Sequence, residues 1–201
     1  MNRTEISNFL SNAGRTKDRN IVIVDFANVD NWRDSLDWPV SIKKLAQLVK
    51  HISYGKKPLR RFYYGEDYGP KDKNDKLTPW SQTITDSAKY NNFEIISKRV
   101  KYIPDPNYTP SGLIKKCNLD IEMAVDLIVE KDNYDTAFIF SGDGDLAYVI
   151  NYLNKEFDKK FFIFVARDHL GKELIDAQKE GLIEKILFVE DFEYRLNLHN
   201  R

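Results

Sequence analysis

The sequence predicts an α/β fold, a mostly parallel central sheet with helices on both of its faces. Three observations carry that expectation. Aliphatic runs without polar alternation recur along the chain, beginning with Ile21-Val22-Ile23-Val24, and this is the composition of strands buried on both faces. Segments with helical spacing of apolar residues separate those runs. The alternation keeps the spacing of strand–helix–strand units, which build parallel sheets.

Each element follows in order. Residues 3–12 read as a helix, and residues 1–18 as a helical extension ahead of a domain spanning 19–201. Ile21–Asp25 is the first strand. Apolar residues at 42, 45, 48, 49 and 52 then mark a helix over Val40–Ile52, which Ser41 or the Pro39 region can start and Gly55 can stop. Pro58–Gly65 reads as the second strand, residues 69–76 as a polar loop, and Trp80–Tyr90 as a helix. Phe93–Lys101 is the third strand, and Pro104, Pro106 and Pro110 mark an irregular loop. Asn118–Glu130 is helical, Tyr134–Ser141 the fourth strand, Asp145–Asn154 a helix. Lys160–Ala166 is the fifth strand, Gly171–Lys179 a helix, and Ile183–Val189 an edge strand, with a short helix after it.

At 201 residues the chain has the size of one domain that can bury a full core. Its single cysteine, Cys117, excludes an intrachain disulfide framework and a cysteine zinc site. No apolar run is long enough to span a bilayer, and the N-terminus lacks the apolar core of a signal peptide, so a cytoplasmic location and no membrane partner are expected. The formal net charge of zero hides a division. Residues 1–118 carry 21 Lys and Arg against 13 Asp and Glu; residues 119–201 carry 10 against 18. Such asymmetry can mark a polyanion-binding surface, or simply helix surfaces of different sign.

Four aspartates concentrate the chemical signal. Asp25 closes the first strand, and Asp143 and Asp145 follow the fourth in Ser141-Gly142-Asp143-Gly144-Asp145. Asp120 opens the apolar helical stretch between them. In a parallel sheet, ligands bind beyond the carboxyl ends of the strands where strand order reverses. If the first and fourth strands are central neighbours, Asp25, Asp143 and Asp145 converge there. Oxygen ligands from separate segments suit Mg²⁺ or Mn²⁺, ions that can activate a water and stabilise charge on a phosphate oxygen. Each acid also has a structural reading. Asp25 can cap the turn after its strand, Asp145 can cap the next helix, and Asp120 can meet a helix dipole. Asp126 lies about 240° around the helix from Asp120, so the two do not share a face, whereas Glu122 and Asp126 do. Asn28 can orient Asp25, bind a phosphate or serve as a turn residue.

These segments resemble the NYN domain, the LabA-like branch of the PIN-like nucleases. Asp25-Phe26-Ala27-Asn28-Val29 resembles its aspartate-glycine-x-asparagine opening. Lys116-Cys117-Asn118-Leu119-Asp120, running into Ala124-Val125-Asp126, is similar to its lysine-to-valine-aspartate helix. Ser141-Gly142-Asp143-Gly144-Asp145-Leu146 resembles its serine-glycine-aspartate-x-aspartate-phenylalanine motif. The three stand in the family's order and span residues 21–166. Phe26 and Ala27 depart from the usual small residues, Leu146 from the usual aromatic, and Ala177-Gln178 from an alanine-aspartate pair.

The resemblance implies a PIN-like three-layer α/β sandwich and Mg²⁺- or Mn²⁺-dependent cleavage of RNA. Asp25, Asp120, Asp143 and Asp145 are the expected metal ligands, with Asn28 and Ser141 orienting them or the scissile phosphate. Hydrolysis would leave a 5′-phosphate. On the substrate side, Arg60, Arg61, Tyr64, Arg99 and Lys116 are the expected contacts, with Lys98, Lys101 and Lys115 also cationic and Tyr63, Tyr68, Trp80, Tyr102 and Tyr108 interleaved among them. Cations beside aromatic rings hold single strands without strict sequence readout. Trp32 and Trp38 flank the loop after Asp25 and can wall the site or pack on it. A homo-oligomer is compatible with the sequence. The other readings are an RNA-binding or scaffolding domain of the same fold with little catalysis, and a phosphotransferase. The aspartyl-phosphate pattern of the latter is missing, because Phe26 and Ala27 follow Asp25.

Overall fold

The computed structural model describes residues 1–13, 19–53, 59–70, 75–104 and 112–199. Helix α1 (Arg3–Ala13) precedes strand β1 (Asn20–Asp25), which runs directly into α2 (Phe26–Asn31) and the single turn α3 (Arg33–Leu36). Then come α4 (Ile42–Ile52), β2 (Leu59–Glu66), α5 (Pro79–Tyr90) and β3 (Glu94–Arg99). A hairpin of β4 (Lys101–Pro104) and β5 (Leu113–Lys116) leads to α6 (Asp120–Val129) and β6 (Thr136–Phe140). The chain closes with α7 (Ala147–Phe157), β7 (Lys160–Val165), α8 (Lys172–Lys179), β8 (Lys185–Phe188) and α9 (Glu193–Leu196).

Six strands form one sheet in the order β3-β2-β1-β6-β7-β8, every pairing parallel. From β1 the chain steps outward through β2 to β3; from β6 it steps the other way through β7 to β8. Right-handed crossovers in opposite directions place their helices on opposite faces. Accordingly α1, α5 and α9 gather on α4, whereas α6, α7 and α8 pack side by side. The result is the expected three-layer sandwich, and its strand order keeps the basic and acidic stretches of the chain on separate halves of the sheet.

All residues of β1 and of β6 are buried, so these two strands are the spine of the core. Neighbouring strands stack aromatic rings across it. Phe140 lies 4.4 Å from Phe164 and Phe138 5.2 Å from Phe162, each pair directly opposed in the β6–β7 register. Phe26 stacks on Phe62 at 5.0 Å. Rings of this size each contribute about 1.5–3 kcal/mol by burial, with about 0.5–1.5 kcal/mol more per well-placed pair.

Several boundaries differ from the expectation. The segment after Asp25 is helical because Asp25 caps it, its carboxylate accepting from the Asn28 amide, while Phe26 and Val29 anchor it in the core. The expected third strand breaks at Val100. Beyond it the chain leaves the sheet as an antiparallel hairpin, pairing Lys101 with Lys116 and Pro104 with Leu113. Pro104 ends β4, where no further ladder bond is needed. Gly55, Pro58, Pro106, Tyr108 and Pro110 lie outside the described residues. Ser41 caps α4 by accepting from the Lys44 amide. No described helix is long and apolar enough to cross a membrane.

Candidate metal centre and cleft

The strand order reverses between β1 and β6, and this is where a parallel sheet opens a crevice at its carboxyl edge. Val24 pairs with Phe140, so the next residues, Asp25 and Ser141, meet at the mouth of that crevice. The Ser141 hydroxyl donates to Asp25 Oδ2 at 3.0 Å, and the Asn28 amide donates to Oδ1 at 3.2 Å. Asp25 is 9% exposed. Burial pushes its pKa up to about 6; the Asn28 and Ser141 hydrogen bonds pull against that, and the Asp120 and Asp143 charges add to it.

The loop after β6 is wired to the same point. Ser141 Oγ accepts from the Asp143 amide at 3.2 Å, and Asp143 Oδ1 accepts from the Asp145 amide at 2.9 Å. Asn28 Oδ1 accepts both the Gly142 amide at 3.1 Å and Trp32 Nε1–H at 2.8 Å. Trp32 is therefore buried support for Asn28 and not a wall of the site; Trp38 is buried as well. Space requires glycine at 142, where backbone stands in the way, and favours it at 144, where the flexible end of Glu173 does. A Cβ on Gly142 would lie 1.9 Å from the His169 carbonyl oxygen, and one on Gly144 2.2 Å from Glu173 Oε2.

Asp120 enters from the first turn of α6, its amide held by Asn118 Oδ1. Asp120, Asp143 and Asp145 present carboxylate oxygens that all lie within 4.8 Å of one another. Burial raises the Asp120 pKa, followed by the Asp143 charge and, more weakly, those of Asp145 and Glu122; the Asn118 hydrogen bond opposes them. Among the described residues no lysine or arginine forms a salt bridge with any of these three acids or with Asp25. The nearby Lys98 and Lys115 are committed to Glu122 and Asp67. Three clustered carboxylates without a counter-cation are a donor set that suits a hard divalent ion. Asp25 stands behind the trio, with both of its oxygens already engaged. Asp126 points elsewhere and accepts from the Tyr63 hydroxyl at 2.6 Å.

A cleft of about 420 Å³ leads away from the acids. Asp25, Asn28, Asp120 and Asp143 line one end, and Tyr64, Asp67, Trp80 and Lys115 are among the residues lining the rest. Trp80, in the first turn of α5, is 55% exposed, and its ring is open to a ligand. Lys115 Nζ is 2.5 Å from Asp67 Oδ2, and the Tyr102 hydroxyl donates to Asp67 Oδ1 at 2.5 Å, which pins the β4–β5 hairpin to the rim. Burial alone would raise the Asp67 pKa; Lys115, Tyr102 and the Gly69 amide outweigh it and hold the acid below its usual range.

The expected substrate contacts divide. Tyr64 lines the cleft, and so does Lys115, whereas Lys116 is exposed outside the cleft lining. Arg60 and Arg61 pair in register with Val22 and Ile23, two or more residues short of the strand ends. Arg60 donates to Ser53 Oγ, and Arg61 bridges Glu94 at 2.6 Å and Glu130 at 2.7 Å. Arg99 stacks over Tyr68 with its guanidinium carbon 4.5 Å from the ring centre. Asp67 is the cleft residue that the sequence reading passed over. The rule that singled out Asp25 applies to it too, since it follows the last residue of β2.

Fold and site together define a parallel α/β domain with an acidic cluster at its topological switch point, next to a cleft that Trp80 and the Lys115–Asp67 pair help to line. The chain belongs to the NYN domain family, which matches residues 19–184. That family is in general nuclease-like, its nucleases generally use divalent metals, and they act on RNA. A crystal structure of a protein of unknown function from Vibrio parahaemolyticus RIMD 2210633 has the same fold, with a TM-score of 0.62 at 16% identity over 87% of this chain and 94% of that one. Comparison with curated proteins returned no match.

Proposed function

We propose that this protein is a metal-dependent ribonuclease that hydrolyses phosphodiester bonds of single-stranded RNA. The observation that carries the reading is the group of three carboxylates within 4.8 Å, without a salt-bridged cation among the described residues, two of which, Asp120 and Asp143, line a cleft. Asp120, Asp143 and Asp145 would hold Mg²⁺ or Mn²⁺, with Asp25 completing the set once ionised. Such an ion supplies an activated water and offsets charge on the phosphate.

The protein's own groups do the rest. Ser141 and the Asn28 amide fix Asp25, and the Asp145 amide fixes Asp143, so the acids are pre-positioned and need little reordering. Asn28 spends its oxygen on Trp32 and Gly142, which leaves Nδ2–H as the end able to meet a phosphate oxygen. Trp80, 55% exposed, offers a ring face to an unpaired base, and Lys115 would exchange its Asp67 partner for a backbone phosphate. A base inside a duplex has no free face for Trp80, which is why the reading favours single strands.

The test is cleavage of a labelled single-stranded RNA in Mn²⁺ by wild type and Asp143→Asn. The substitution should lower the rate by roughly 100-fold or more, since even supporting residues of a metal site are worth 10–100-fold, and chelator should abolish cleavage by both. Undiminished cleavage by the variant would overturn the assignment. RNA binding without cleavage under any divalent ion would instead favour the scaffold reading.

A further inference from the structure

Helix α6 is built with its polarity reversed. Its acidic side chains beyond Asp120 turn toward the body of the protein, Glu122 to Lys98 and Asp126 to Tyr63. Met123 and Leu127 fill the core. Ile121, Val125, Ile128 and Val129, spaced i, i+4, i+7 and i+8, form a second apolar stripe, and this one faces outward. Ile121 is 71% exposed and Val129 68%. A helix that is apolar on both sides ordinarily has both sides covered. Alongside it, α7 exposes Tyr148 at 83% and Tyr152. Tyr152 packs on Phe157, whose ring also receives the ammonium of Lys131 just past the end of α6, so the two helices share one continuous surface. Six of the ten large apolar side chains exposed among the described residues lie on these two helices.

We infer that the α6–α7 face is a homodimer interface, occupied by the same face of a second copy of this chain. The exposed stripe of α6 carries no charge, so its complement must be equally neutral and apolar. A self-complementary patch meets that demand across a two-fold axis. Together the six residues expose on the order of 600 Å², at the upper end of the ~300–600 Å² of the largest patch on a typical monomer and within reach of the ~800 Å² per partner of a standard interface. The two α6 helices run antiparallel, because Asp120, Asp143 and Asp145 sit at the amino end of this surface and parallel packing would bring two acidic clusters together. Val125, near the middle of α6, then lies close to the axis and faces its own copy. Ile121 is adjacent to Asp120, so the partner borders the rim of the acidic site.

The inference is independent of nuclease activity, and its test uses neither RNA nor metal. Sedimentation velocity of the full chain from ~1 to ~500 μM should show a monomer–dimer equilibrium, standard-size interfaces spanning μM affinities and tighter. The double substitution Ile121→Glu and Val125→Glu should leave a monomer with an intact thermal transition, and Tyr90→Ser, on the opposite face, should leave the dimer unchanged. In a Cys117→Ser background, Val125→Cys should form an intermolecular disulfide under mild oxidation and Tyr90→Cys should not; this readout stands even if the double variant fails to fold. A wild type that is monomeric throughout, a dimer that survives the double substitution, or no cross-link at position 125 would each overturn the proposal.

Discussion

Replacing Asp25 by asparagine should stabilise the metal-free protein, although Asp25 is among the acids proposed for catalysis. The carboxyl is 9% exposed, has no cationic partner, and is pushed from its ordinary 3.8 to about 6. Each tenfold change in a proton equilibrium is worth about 1.4 kcal/mol, so holding Asp25 ionised at neutral pH costs the fold up to about 3 kcal/mol. The folded pKa is raised, so between pH 4 and 6 the native state binds more protons than the unfolded chain. Stability therefore falls as pH rises through that window and stays low above it. Asparagine is isosteric, keeps an acceptor for the Asn28 amide and never ionises. In chelator at pH 7.5, Asp25→Asn should raise Tm by up to about 6–12 °C, at 2–4 °C per kcal/mol for a chain of this size. At pH 4 most of that advantage should vanish. Thermal melts of both proteins across pH 4–8 measure it. A variant no more stable than wild type at pH 7.5, or an equal advantage at both pH values, would refute the claim that buried charge at Asp25 destabilises the protein in chelator. Adding Mn²⁺ should raise the Tm of wild type more than that of the variant, because bound metal supplies the missing counter-charge.

Other outcomes follow from the same structure. Gly142→Ala should lower Tm by roughly 5 °C or more, since backbone at the His169 carbonyl must move to admit the methyl group and overpacking of this kind costs about 1–3 kcal/mol. Trp80→Ala should weaken single-stranded RNA binding by about 1–3 kcal/mol, as base stacking on an aromatic ring is worth. Trp32 and Trp38 are buried, so Trp80 should carry most of the fluorescence quenching on titration with RNA in chelator, and duplex RNA should quench little. Arg61→Ala should reduce thermal stability by about 1–3 kcal/mol, because Glu130 loses its partner in a half-buried setting; RNA affinity in a filter-binding assay should not change.

The centre of the sheet was legible because β1, β6 and β7 are written as nearly uninterrupted apolar runs, a pattern that burial on both faces imposes. The adjacency of β1 and β6 was the condition on which the strand-end carboxylates were expected to converge, and Ser141 bonded to Asp25 meets it. Phe26 and Leu146, departures from the family's usual residues, proved to be core side chains. What stayed hidden was tertiary. No local signal shows that the Gly142 methylene must clear a carbonyl from the β7–α8 connection. None shows that Arg60 and Arg61 point to Ser53, Glu94 and Glu130 rather than toward the cleft. The β4–β5 hairpin was obscured by its prolines, and α2 by weak helix formers that succeed because a capping carboxylate and two core side chains hold them. The reversed amphipathicity of α6 could not be seen either, since an apolar helix reads alike whichever side is covered.

The pairing of β1 with β6 also has a meaning in time. Asp25 and the Ser141 that fixes it are 116 residues apart, and the acidic trio needs residue 145 in place. Chains emerge from the ribosome at about 5–20 residues per second, and segments fold as their partners appear. For a few seconds the growing chain holds β1, β2 and β3 without β6, and no carboxylate cluster can exist. A protein read as cutting RNA is thus built so that its cutting centre closes only after its own message has been translated through residue 145.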